Sequence, residues 1–127
     1  MPNIVGLGLD VTDINRIADA IERHGRRFLT RIFTAAEVAY CTERRIPAIH
    51  FAGRFAAKEA AMKALGTGRS RGVLWRDVEV IRHGGPPELQ LHGGAARRFA
   101  AIGGRKSLVS ITHSEELAMA EVLILGD

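Results

Sequence analysis

A glutamate and a lysine one helical turn apart, followed by a threonine between two glycines, form the most chemically loaded stretch of this sequence. It reads Arg54-Phe55-Ala56-Ala57-Lys58-Glu59-Ala60-Ala61-Met62-Lys63-Ala64-Leu65-Gly66-Thr67-Gly68. Glu59 and Lys63 share a helix face, and Ala52, Ala56 and Ala60 flank it with side chains too small to fill the space beside it. A ligand could lie there. Gly66 and Gly68 permit backbone conformations in which successive N–H groups point at a phosphate, and Thr67 adds a hydroxyl. The plainer reading is a surface Glu–Lys pair and a glycine helix stop.

Asp10 is a second carboxylate, placed where an apolar strand gives way to a helix, a position that also suits a turn or cap. With Glu59 it could supply the one or two carboxylates that Mg²⁺ takes alongside water and phosphate oxygens. The two are 49 positions apart (59 minus 10), so only a fold can bring them together. His113, in Ser110-Ile111-Thr112-His113-Ser114, ends a strand among hydroxyls and could donate to a phosphate. His24, His50, His83 and His92 have no metal-ligand spacing and read as ordinary surface or packing residues. No serine or cysteine nucleophile motif occurs, which argues against a covalent enzyme intermediate. Arg16, Arg23 and Arg27 fall within about 40° on a helical wheel, opposite Ile14, Ile17 and Ile21. If Gly25 does not end the helix, they form a basic stripe, either a solvated face or a dock for an acidic helix.

The elements that must position these residues follow from periodicity and punctuation. Ile4 to Val11 reads as a glycine-interrupted strand giving way at Asp10, with Thr12 or Asp13 capping a helix from Ile14 that Gly25 stops. Thr34 and Glu37 form a capping-box pattern for a helix from Ala35 to about Arg44. The longest helix is expected over Ala48 to Leu65, after Pro47 and before Gly66. Val78–Ile81 and Leu89–Leu91 are strand candidates, and the doublets Gly84-Gly85 and Pro86-Pro87 make a hairpin between them. A short helix over Gly94–Ala101 and strands over Ser107–Thr112 and Ala118–Leu125 complete the chain. Helices early and strands late predict an α+β fold with an antiparallel sheet, one domain over residues 1–127.

Composition narrows the class. Eighteen basic residues, 15 of them arginine, against 14 acidic ones give a net charge of +4 and point to an anionic partner. The single cysteine, Cys41, can form neither an internal disulfide nor a thiolate metal site, and reads as a packing residue of a reducing compartment. With no long apolar run and no signal-peptide pattern, a cytoplasmic protein without a membrane span is expected. A small basic nucleic-acid-binding domain is the rival reading, but aromatics are only 6% and no stacking motif stands among the basic residues.

Taken together and in order, Gly8-Leu9-Asp10 with Arg16, Phe33-Thr34 with Glu37, Phe51 through Gly68, and Ser110 to Ser114 resemble the bacterial holo-acyl-carrier-protein synthases. Gly85-Pro86-Pro87 with Leu89 fits the family's later hairpin, and the likeness covers essentially the whole chain. The resemblance implies the 4′-phosphopantetheinyl transferase fold and a homotrimer with active sites between subunits, each taking coenzyme A and Mg²⁺. It implies transfer of 4′-phosphopantetheine to a serine of apo-acyl carrier protein for fatty acid biosynthesis, with Asp10, Glu59 and Lys63 catalytic. By that likeness Asp10 and Glu59 hold the metal, Lys63 contacts the diphosphate, and Gly66, Thr67 and Gly68 make a phosphate-binding turn. Arg54 and His113 match groups near the nucleotide phosphates, His113 from the neighbouring subunit. Arg16 matches the carrier-protein surface, with Arg23 and Arg27 beside it. The general base stays open between a water on the metal and one of the carboxylates.

Overall fold

The computed structural model describes residues 3–68 and 70–127. Its order is β1 (Asn3–Asp13), α1 (Ile14–His24), α2 (Arg26–Ile32), α3 (Ala35–Thr42), α4 (Pro47–Leu65), a 3₁₀ turn (Trp75–Asp77), β2 (Val78–Ile81), β3 (Glu88–Leu91), α5 (Gly93–Ala101), β4 (Lys106–His113) and β5 (Leu117–Gly126). Strands β1, β5 and β4 form an antiparallel sheet in that order, and β2 and β3 form a separate antiparallel hairpin. The fold is α+β, as expected.

Local chemistry explains the boundaries. Asp13 caps α1, its Oδ1 accepting from the amides of Asn15 and Arg16 at 2.9 and 3.3 Å. Strand β1 runs on past Asp10 to reach that cap. Thr34 and Glu37 close a reciprocal capping box on α3, which ends at Thr42, short of the expected Arg44. Pro47 takes the first turn of α4, where a missing N–H costs nothing. Gly25 does end α1, and a separate helix α2, absent from the sequence reading, begins one residue later.

Helix α4 is buried on almost every side and organises the core. One cluster packs Ala56, Ala57, Ala60, Ala61 and Ala64 against Val122 and Ile124 of β5 and Val78 and Val80 of β2. A second packs Phe51 and Phe55 with Ile14, Ile17, Ile32 and Phe33. The alanines were expected to leave room for a ligand. Ala52, Ala56 and Ala60 are instead fully buried by protein, and at Ala60 the neighbour is β1: a Cβ on Gly8 would lie 1.8 Å from its carbonyl oxygen. One on Gly6 would lie 2.2 Å from that of Ala64, so only glycine lets the strand lie directly on the helix.

The other face of the sheet is bare. Alternation turns Gly8, Asp10 and Thr12 toward α4 and Leu7, Leu9 and Val11 outward, these three at 58%, 55% and 51% exposure. Leu108 of β4 and Met119 of β5 extend the apolar surface across the register pairs Leu108↔Leu123 and Val11↔Met119. Among the described residues, no helix is long and apolar enough to cross a membrane.

Candidate active site

The close crossing of β1 on α4 positions the first group of polar residues. Asp10, two residues beyond Gly8, is 8% exposed and accepts at both carboxylate oxygens. Its Oδ2 takes the Thr12 hydroxyl at 3.1 Å, and its Oδ1 takes the Lys63 ammonium at 3.2 Å. Lys63 also donates to the Leu9 carbonyl at 3.0 Å. Its side chain is 55% exposed, so the ammonium can leave the carboxylate without opening the core. Half-buried Glu59 lies one turn before Lys63 on the same helix. Among the described residues no three His, Cys, Asp or Glu side chains gather as a metal group. The donors nevertheless suit Mg²⁺, which needs only one or two carboxylates, and Asp10 already draws a cation.

The glycine loop closes the end of α4. The amide of Gly66 donates to Lys63 O at 3.0 Å, and those of Thr67 and Gly68 donate to Met62 O at 3.1 and 3.4 Å. Gly66, left-handed at φ 75°, thus closes α4, and the three amides that were to cradle a phosphate are engaged on the helix end. The Thr67 hydroxyl is likewise turned inward, onto Gly68 O at 2.9 Å. The loop serves as a helix stop.

Arg54 and His113 meet elsewhere, in a cleft of about 320 Å³ lined also by His50, Arg82, Pro87 and Thr112. Arg54 is buried yet its Nε has no hydrogen-bond partner among the described residues, and its guanidinium carbon lies 4.2 Å from the Tyr40 ring centre. Five positions separate Arg54 from Glu59 and nine from Lys63, which puts Lys63 on the opposite side of α4 at about 100° per residue. The carboxylate–lysine group and the cationic cleft therefore lie on different sides of α4. Arg54 and His113, both matched to the nucleotide phosphates, line the same cleft within one chain.

The basic stripe is interrupted. Arg16 and Arg23 line a groove along α1 with Asp13, Asn15 and Asp19, whereas Arg27 on α2 lines another with Phe28, Arg31 and Trp75. His24 borders both.

A buried ion pair escaped the sequence reading. Lys58 and Glu37 have fully buried side chains 2.8 Å apart. Lys58 also donates to the carbonyls of Trp75 and Val78, and Glu37 accepts from the amides of Thr34 at 2.9 Å and Val80 at 2.8 Å. The pair bolts α3 and β2 to α4 beside Glu59. Burial pushes the Lys58 ammonium below the usual lysine range, with the Glu37 carboxylate opposing it. The capping box marked Glu37, but nothing local marks Lys58. Cys41 is buried, and that burial pushes its thiol up to about 11, as a packing residue requires.

Three of the phenylalanines are buried: Phe33 and Phe51 pack at 5.0 Å, and Phe55 stacks on half-buried Trp75 at 4.9 Å. The open sheet face carries leucine, valine and methionine.

Comparison with known proteins follows this geometry. The model of the 4′-phosphopantetheinyl transferase superfamily matches residues 6–120. A holo-[acyl-carrier-protein] synthase of Koribacter versatilis is 48% identical over 122 residues, covering 95% of this chain and 98% of that protein. The crystal structure of the holo-[acyl-carrier-protein] synthase of Neisseria meningitidis superposes with a TM-score of 0.88 at 29% identity, over 96% of this chain and 98% of that one. The structure of a Bacillus anthracis holo-(acyl-carrier-protein) synthase in complex with CoA (3′,5′-ADP) does so at 0.80 and 33% identity, over 98% of each chain.

Proposed function

The chain belongs to the 4′-phosphopantetheinyl transferase superfamily, and we propose that it is a holo-[acyl-carrier-protein] synthase. It moves the 4′-phosphopantetheine group of coenzyme A onto a serine of apo-acyl carrier protein, releasing adenosine 3′,5′-bisphosphate, in the service of fatty acid biosynthesis. The observation that carries this reading is the crossing of β1 on α4, which sets Asp10 against Lys63 one turn from Glu59 in a chain nearly half identical to such a synthase.

The reaction attacks the β-phosphorus of a diphosphate, so it needs charge stabilisation and alignment more than a covalent intermediate. Asp10 and Glu59 would hold Mg²⁺, which supplies positive charge to the diphosphate oxygens. Lys63 rests on Asp10 and is exposed enough to turn toward the diphosphate. Thr12 keeps the Asp10 carboxylate oriented through its hydroxyl. Arg54 and His113 take the nucleotide phosphates from a second copy of the chain.

The bare face of Leu7, Leu9, Val11, Leu108 and Met119 supports assembly, because apolar residues open on one sheet face suit burial against another copy. A homotrimer closes three such interfaces and joins the carboxylate group of one copy to the cleft of the next. Arg16 and Arg23 on α1, with Arg27 on α2, receive the acidic surface of the carrier. The lone, fully buried cysteine suits the cytoplasm.

The test is incubation with apo-acyl carrier protein, coenzyme A and Mg²⁺ followed by intact mass measurement of the carrier. Addition of one phosphopantetheine group is expected, and an unmodified carrier from folded protein would overturn the reading.

A further inference from the structure

The walls of the Arg54–His113 cleft come from separate elements: His50 and Arg54 from α4, Arg82 from the β2–β3 connection, His113 from the end of β4. No carboxylate is among the described residues lining it. Tyr40 of α3 packs behind, with the guanidinium carbons of Arg44 and Arg54 at 4.3 and 4.2 Å from its ring centre and the His50 ring edge-on at 6.3 Å. The Nε atoms of both arginines are buried with no partner among the described residues. Guanidiniums with unmet donors beside two histidines and no acid suit an anion of more than one charge.

We propose that His50 is a recognition residue for a phosphate monoester in this cleft, taking up a proton as the dianion enters and becoming a further cationic contact. The proposal rests on the reading of the chain as a coenzyme A-dependent transferase, whose released nucleotide bears a 3′-phosphate monoester.

The charges facing His50 explain why the proton comes with the ligand. Burial holds its imidazole below the ordinary range, and Arg54, Arg44, His113 and Arg82 push the same way. The Tyr40 ring packs edge-on against the imidazole at 6.3 Å. A dianion among these groups reverses the field and favours imidazolium. The bound state then has the higher imidazole pKa, so binding strengthens as pH falls between the free and bound values. His113, exposed at the cleft mouth, lacks that burial.

Titration calorimetry of the assembled protein with adenosine 3′,5′-bisphosphate, at about pH 8 and about pH 6.5, tests this across the ordinary histidine range. From the higher to the lower pH, wild-type affinity should improve about three- to tenfold more than that of His50→Gln, a tenfold change matching one pKa unit. His113→Gln should keep the His50-dependent gain. Ionisation of the ligand's own phosphate is common to wild type and His50→Gln and cancels. Equal pH responses to the bisphosphate in wild type and His50→Gln overturn the proposal and leave the nucleotide site standing. Absence of bisphosphate binding to wild type at both pH values overturns the underlying reading instead. Should His50→Gln fail to fold, histidine NMR of wild type decides: the His50 midpoint must rise with bisphosphate, and an unmoved midpoint defeats the proposal.

Discussion

Gly8 lies so close to Ala60 that a methyl group in place of its hydrogen would stand 1.8 Å from the Ala60 carbonyl oxygen. The obstructing atom is helix backbone and cannot turn aside. Gly8→Ala should therefore cost about 3 kcal/mol or more, at the top of the usual range for overpacking, and lower transfer by displacing Asp10. Gly85→Ala, with nothing within 4 Å of the added carbon, is the control and should stay within about 0.5 kcal/mol. Urea denaturation of both proteins reads the difference, and equal midpoints would show that the crossing is not tight.

Removing one member of the buried Lys58–Glu37 pair strands a charge in the core. Glu37→Gln should destabilise by about 3–5 kcal/mol, and Lys58→Met in the same chain should recover part of that loss. Denaturant midpoints for the two single variants and the double one close the cycle. Additive losses would mean that the two side chains do not act together.

Asp10→Asn and Glu59→Gln keep shape and remove charge. Each should lower the transfer rate about a hundredfold or more at limiting Mg²⁺, the scale of losing one electrostatic stabiliser, with little change in melting temperature. A folded Glu59→Gln protein with full activity would remove that residue from the site.

Arg54 and His113 occupy one cleft, which fixes which defective copies can rescue each other. Glu59→Ala mixed with His113→Ala should regain activity at about a quarter of the interfaces if sites form head-to-tail between neighbours. Arg54→Ala mixed with His113→Ala should stay inactive, because both lesions fall in the same half-site. Rescue in the second mixture would contradict the pairing.

Gly25 divides the basic surface, so its parts should act independently. Arg16→Glu should raise the Michaelis constant for the carrier protein, mainly through slower association, and added salt should weaken carrier association in the unmodified protein as well. Arg27→Glu, in the neighbouring groove, should add to it in near-independent fashion. The Michaelis constant for coenzyme A serves as internal control, and a rise in both constants would point to structural damage.

Much of this architecture was legible from the residues. Thr34 and Glu37 announce α3 because a capping box is read within four positions, and alternation in β5 announces a strand with one buried face. Helix α2 was missed because seven residues after a glycine hold too few turns to show a period. Lys58 was missed for the opposite reason: α4 is buried nearly all round, so no polar stripe distinguishes a core lysine from a surface one. The glycines of β1 looked like interruptions because their purpose, contact with a helix more than 50 positions away, is invisible along the chain. His50 was passed over for the same cause, its partners lying on three other elements.

The separation of the carboxylate group from the cationic cleft has a kinetic corollary. On the proposed shared site, a catalyst whose halves reside on different copies exists only while the copies are together, so turnover per milligram should collapse on dilution below the association threshold. In a cell, doubling the amount of this chain near that threshold would more than double the rate. Expression level would thereby act as a graded switch on carrier-protein activation without any dedicated effector.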